Sequence, residues 1–321
     1  MNGQPNGNKL SRRQLRQIRQ QKIRTTLLSL CIVVILLLVT LAVFLFCAIA
    51  DELNQAQDDQ RKPPVVPPSQ SDTTVLYTSL SKNNTGVHVG DLLLVNNDHY
   101  FDPEDAKDLI VIDGTQGSPK LYTVAYPSWK LNASTLNAFN GMMKKYYEIS
   151  GDGSVKISSA YRTAADQEGK TTPVGHSDHH TGYCMALRTA PGGYLEDDHW
   201  IYQNGHRYGF IQRYPDEKSD ITKVEKGYEY CIRYVGVPHA TYISQNGLCL
   251  EEYVELLKAS YTGDNHLAIT DHNGKRYEVY YVPASTAEST NIKVPSNYAF
   301  TISGDNVSGF IVTIDLSQRL A

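Results

Sequence analysis

Gly175-His-Ser-Asp-His-His-Thr-Gly-Tyr-Cys-Met-Ala-Leu187 gathers three histidines, an aspartate and a cysteine into one short segment. Ser158-Ser-Ala-Tyr-Arg162 lies just before it, and Trp200 to Ile211 and Tyr228 to Gly236 follow it. Imidazoles and thiolates together make tetrahedral metal sites. His176, His179, His180 and Cys184, with Cys231 from the last piece, are therefore one candidate ligand set. Histidine richness alone does not make a metal site, so the surroundings must decide.

Charge is divided sharply along the 321 residues. The first 25 residues hold Lys9, Arg12, Arg13, Arg16, Arg19, Lys22 and Arg24 and no acid. The remainder carries 23 basic residues against 34 acidic ones, a net charge near −11. An acidic body excludes nucleic acid as its expected partner.

Leu27 to Ala50 is an uncharged apolar run of 24 residues. At about 1.5 Å per residue it exceeds the roughly 30 Å hydrocarbon core of a bilayer. Basic residues precede it and Asp51 and Glu52 follow it, so residues 26–50 read as a single membrane span with the N-terminus in the cytoplasm. The competing reading is a cleaved signal peptide, for which Ala48-Ile-Ala50 offers a site. Secretory apolar regions are usually only about 7–15 residues long, which favours the anchor. Cys31 and Cys47 fall in the span, leaving Cys184, Cys231 and Cys249 outside, where a disulfide is permitted.

Residues 51–72 are polar with four prolines and no apolar periodicity, and read as an extended linker. Asp91-Leu-Leu-Leu-Val95 before Asn96-Asn-Asp98 predicts a strand and a turn. Leu136, Phe139, Met143 and Tyr147 make the stripe of an amphipathic helix with Ser134 as its N-cap, closed by Gly151-Asp-Gly153. Val155 to Ser159 reads as a strand, and Leu250 to Tyr261 as a second helix. Beyond residue 263 only short strands are predicted, among them a hairpin around Asn273-Gly274. Residues 263–321 are thus expected to form a small β appendage to a domain spanning 73–262.

In that order the four pieces resemble the zinc D,D-carboxypeptidases of the VanY type (peptidase family M15B), which remove the terminal D-alanine of peptidoglycan stem peptides. That family runs G-H-S-x-H-x-x-G-x-A-x-D in the centre and E-P-W-H before R-Y-V-G. Trp200, Asn204, Tyr208-Gly-Phe-Ile211, Arg213-Tyr-Pro215 and Lys218 match a further shared segment. The resemblance covers about residues 88–260 and implies an α+β fold of the M15 type, related to Hedgehog-like domains, with a central antiparallel sheet.

It also implies a damaged centre. A zinc peptidase needs three protein ligands, an open position for water and a carboxylate base. On the family pattern the ligand positions fall on His179, Ala186 and Cys231, and the base position on Tyr228. Alanine binds no metal, and a phenol is a poor base at neutral pH. Glu229 is one residue out of register. The substrate side is retained: Arg162 stands where the family clamps the peptide carboxylate, Gln167 near the substrate and Ser177 on the cleft wall. A guanidinium fork matches a carboxylate with two parallel bonds, although a structural ion pair is the plainer role for Arg162.

The family's Asp position lies on a strand, so Cys184 shares the cleft face with position 186. Four readings of the centre follow: a Cys184–Cys231 disulfide in place of the metal, a rebuilt Cys/His zinc site, a Cys231–His179 nucleophile pair, or two buried filler cysteines. The expected function is recognition without cleavage of a stem peptide ending in D-Ala-D-Ala, or of a cell-envelope protein, by a membrane-held copy lying outside the cell. No cofactor is expected unless zinc occupies a rebuilt site. The alternative is an active zinc carboxypeptidase with relocated ligands.

Overall fold

Val155, Ile157 and Ser159 are buried while Lys156 and Ser158 are half-buried, and this alternation puts one face of a strand on the core. The structure, a computed structural model, describes residues 74–113, 120–190 and 192–320. The basic arm, the apolar run and the linker lie outside the described residues. Among the described residues no helix is long and apolar enough to cross a membrane.

The first part of the described chain carries strands β1 (Tyr77–Asn83), β2 (Leu109–Val111), β3 (Thr123–Val124), β4 (Lys130–Asn132), β5 (Val155–Ser159), β6 (Cys184–Thr189), β7 (Phe210–Gln212) and β8 (Cys231–Tyr234). Five of them form the central sheet in the order β3-β5-β6-β8-β7. Every pairing in it is antiparallel except β3 with β5. Helix α1 (Ala133–Ser150) lays Leu136, Phe139, Met142, Met143 and Tyr146 on the face formed by Ile157, Met185, Leu187 and Ile232. The expected stripe is right except at its end, where Tyr146 and not Tyr147 is buried. The N-cap is Asn132, whose side chain accepts from the Ser134 amide at 2.9 Å, and not Ser134. Gly151, left-handed at φ 68°, ends the helix.

The predicted strand at Asp91–Val95 is not one. Leu92 to Val95 are buried, but the carbonyls around them go to side chains instead of a ladder. Arg233 Nη2 donates to Asp91 O at 3.0 Å, Asn306 Nδ2 to Leu94 O at 2.8 Å, and Arg213 Nη2 to Val95 O at 3.3 Å. Buried side-chain donors satisfy the extended chain as well as a neighbouring strand would.

The C-terminal third is no separate appendage. Helices α2 (Val237–Asn246) and α3 (Leu250–Ser260) precede β9 (Leu267–Thr270), β10 (Arg276–Pro283), β11 (Ser289–Pro295), β12 (Tyr298–Gly304) and β13 (Gly309–Arg319). A four-stranded sheet runs β12-β13-β10-β9, with Gly274 at φ 77° in the expected β9–β10 turn. One core joins Ile243, Leu250, Tyr253 and Leu257 of the helices to Leu267, Val279 and Ile311 of this sheet. Strand β1 pairs with β11 in a separate two-stranded sheet, from Tyr77↔Pro295 to Asn83↔Ser289. Residues before and after the expected boundary thus share strands and core.

His239 ties the two parts together. Its Nδ1 lies 2.8 Å from Tyr253 Oη and its Nε2 3.0 Å from Thr313 Oγ1, and burial lowers its pKa to about 3. The unfolded chain takes up this proton near pH 6.5 and the folded one refuses it. Stability is therefore expected to fall as pH drops from about 6.5 towards 3, by up to about 1.4 kcal/mol per pH unit from this group. Urea titrations across that window check it. A slope that is the same in wild type and His239→Gln would remove His239 as its cause.

Candidate functional site

The turn Asp178–Thr181 ends at Gly182, left-handed at φ 78°, which swings the chain into β6. A Cβ there would come within 2.6 Å of Leu109 Cδ2, so only glycine makes this approach. The turn leaves His179 over the start of β6. In the β6–β8 register Ala186 faces Cys231 and Cys184 faces Arg233. Met185 and Ile232 point into the α1 core, while Cys184, Ala186 and Cys231 share the opposite face with Tyr214. Cys184 and Ala186 thus look into one cavity, as the strand periodicity requires.

His179, Cys184 and Cys231 are all buried, and their ligand atoms lie within 4.8 Å of one another. His179 Nδ1 is buried with no hydrogen-bond partner. Burial first, and the Arg162 charge second, hold its pKa well below the usual range, which keeps the imidazole neutral. Burial and the neighbouring Cys231 push the Cys184 thiol well up. Both cysteines are free thiols in this structure, without the disulfide that was one of the four readings. His176 and His180 do not join the group. His176 Nδ1 lies 2.9 Å from Asn96 O, and His180 Nδ1 lies 2.7 Å from Arg162 O.

The zinc that the family fold implies finds only part of its usual ligand set, since Ala186 supplies no donor. Cys184, two residues away on the same face, offers a sulfur donor near the other two groups. An imidazole and two thiols within reach of each other, with an orphaned buried nitrogen among them, fit a thiophilic divalent cation; Cys2His is a known zinc set.

Arg162 makes no ion pair among the described residues, contrary to the structural role weighed for it. Its Nε and Nη2 donate to Ser159 Oγ at 3.0 and 2.7 Å, and its Nη1 donates to Gln167 Oε1 at 3.0 Å. Gln167 is itself fixed, donating from Nε2 to Thr172 O at 2.6 Å, on a turn capped reciprocally by Thr163 and Asp166. Gln167 therefore positions the guanidinium. The charge is oriented and left without a carboxylate. Ser177 is buried immediately before the Asp178 turn.

Tyr228 stands at the base position and packs against the Cys184–Cys231 cluster. It also lines a cleft of about 280 Å³ with Asn97, Thr172, Pro173, His176, Val224 and Glu225. Glu229 Oε1 accepts from the Asp216 amide at 3.2 Å.

Asp178 has no role in the sequence reading and proves to hold the site. Arg213 Nε donates to its Oδ2 at 2.6 Å, and Arg233 Nη1 to its Oδ1. Arg213 also grips Glu251 with two bonds of 3.0 and 2.8 Å. Burial opposes the Arg213 charge, but Glu251 outweighs it and raises the guanidinium pKa. Arg233 within β8 and Arg213 just past β7, each beside apolar residues, were the available signal that a buried acid must face them.

The VanY D-alanyl-D-alanine carboxypeptidase family model matches residues 169–237. A D-alanyl-D-alanine carboxypeptidase of Enterococcus faecium is 30% identical over 304 residues, 85% of this chain and 94% of that protein. Another, from Enterococcus faecalis, is 38% identical over 97 residues, 29% of this chain and 35% of its own length. Among solved structures, the D,D-dipeptidase VanXYg, crystallised with a phosphinate analogue of D-Ala-D-Ala, is 27% identical. It superposes with a TM-score of 0.62 over 75% of this chain and 99% of its own.

Proposed function

The chain belongs to the VanY D-alanyl-D-alanine carboxypeptidase family, and from that premise we propose that it binds the D-alanyl end of a peptidoglycan stem peptide without cleaving it. The observation that carries this reading is the Arg162 guanidinium, held by Ser159 and Gln167 and unpaired with any acid among the described residues. A terminal carboxylate would complete it with two charge-assisted bonds. Against hydrolysis stand Tyr228 at the base position and the Glu229 carboxylate engaged with Asp216. General acid–base catalysis contributes about 10²–10⁴ in rate, and Glu225, the carboxylate that lines the cleft with Tyr228, is exposed and lies three residues from the base position. The proposal includes the membrane: the apolar run at residues 26–50, with basic residues before it, holds the domain outside the cell.

A second reading, hydrolysis with relocated ligands, is favoured by the His179, Cys184 and Cys231 group. Zinc bound there would supply Lewis acidity towards a carbonyl and a lowered pKa for water. The protein's own part would then be limited to holding the peptide carboxylate at Arg162.

Calorimetry on the full chain in detergent with an acylated peptide ending in D-Ala-D-Ala, alongside an assay for released D-alanine, separates the two. Saturable binding without release is expected. Arg162→Ala should weaken binding at least about thirtyfold, near 2 kcal/mol. Stoichiometric D-alanine release would replace the first reading by the second, and unchanged affinity in Arg162→Ala would remove the clamp.

A further inference from the structure

Arg188 stands on β6 two residues past Ala186, on the same face as Cys184 and Ala186. The β5–β6 register sets Ser159, the partner of Arg162, opposite Ala186, and Lys156 opposite Arg188. Arg188 therefore lies about 7 Å farther along the strand from the Arg162 clamp, by the rise of two strand residues. Its guanidinium lies against two tyrosines, with Cζ 3.5 Å from the Tyr194 ring centroid and 3.8 Å from that of Tyr230. Tyr230 in turn packs near Tyr228, with ring centroids 5.9 Å apart, and Tyr228 lines the cleft.

The two rings, whose centroids lie 5.5 Å apart, flank the guanidinium without accepting from its N–H groups, which remain its free donors. No hydrogen bond or ion pair engages them among the described residues, and Nη1 is buried without a partner. The adjacent acid, Glu229, gives its carboxylate to the Asp216 amide. A buried, unsatisfied donor on a cation is costly in the absence of an acceptor. The surroundings supply orientation and leave the acceptor to a ligand.

We propose that Arg188 is a second anion subsite, which reads an acidic side chain on the peptide whose C-terminal carboxylate Arg162 holds. The proposal rests on that reading of Arg162. Two residues of an extended peptide span about the same 7 Å, so the acidic side chain belongs to the third residue from the C-terminus. The ligand class is thus a peptide with two carboxylates, one terminal and one lateral.

The test compares two acylated tripeptides, Glu-D-Ala-D-Ala and Gln-D-Ala-D-Ala, titrated into the full chain by calorimetry at fixed salt. Wild type is expected to favour the glutamate peptide about tenfold. Arg188→Gln should abolish that preference while binding the glutamine peptide as wild type does. Arg188→Lys, which keeps the charge and loses the fork, should retain only part of it. Equal affinities in wild type, or a preference that survives in Arg188→Gln, would overturn the subsite and leave Arg162 in place. Failure of both peptides to bind wild type would overturn the Arg162 reading and the subsite with it.

Discussion

Asp178→Ala is expected to cost about 3–5 kcal/mol and to lower the melting temperature by about 10 °C or more. The substitution leaves the Arg213 and Arg233 guanidiniums, both with fully buried side chains, facing an empty space. Arg213 keeps Glu251, but Arg233 loses the only carboxylate it touches among the described residues. Each of these arginines also holds a carbonyl of the Asp91–Val95 segment, so the damage spreads to the wall beside His176. Thermal denaturation of the full chain measures the loss. An Asp178→Ala protein melting within a degree or two of wild type would show the network to be energetically idle. Because the cost lies in stranding charges, replacing Asp178, Arg213 and Arg233 together by apolar residues of similar volume should be far milder than the single change.

The second large effect is expected at the thiols. Reduced full chain prepared without chelator and with zinc in the medium should hold one zinc ion per molecule. Cys184→Ser and Cys231→Ser should each weaken it by more than about a hundredfold, since even residues behind the ligands are worth 10–100-fold. Zinc at a thousandfold excess over its dissociation constant should add about 4 kcal/mol of stability, and the shift should vanish in the double variant. Binding should weaken on acidification, because protons compete for both sulfurs and for the imidazole. Cobalt substitution offers a second readout through the sulfur-to-metal absorption that thiolate ligation produces. Reduced protein free of metal under these conditions would leave Cys184 and Cys231 as buried filler. A mass lower by two hydrogens in the protein as isolated would instead show that the pair oxidises before it meets a cation.

Much of this molecule can be read from the chain. The order of the Ser158, Gly175, Trp200 and Tyr228 segments identifies the family, and strand periodicity puts Cys184 and Ala186 on one face. Local signals are legible because they depend on neighbours a few residues apart: the α1 stripe, Gly151 at its end, and the Asn273-Gly274 turn. Signals fail where distant groups compete with local ones. Asp91–Val95 reads as a strand, yet its carbonyls are claimed by Arg213, Arg233 and Asn306, which no local pattern reveals.

Which chemistry is missing can be read from the chain alone: no carboxylate at 186 or 228, and no second histidine at 231. A deleted functional group is absent in any conformation. Only the tertiary structure decided what the remaining groups do. It separated His176 and His180 from the ligand cluster, left Arg162 with no ion pair among the described residues, made Asp178 the partner of two buried arginines, and joined β1 to β11 across more than 200 residues. Those outcomes turn on pairings between residues far apart in the chain, and such pairings are set by packing and desolvation, which spacing along the sequence does not encode.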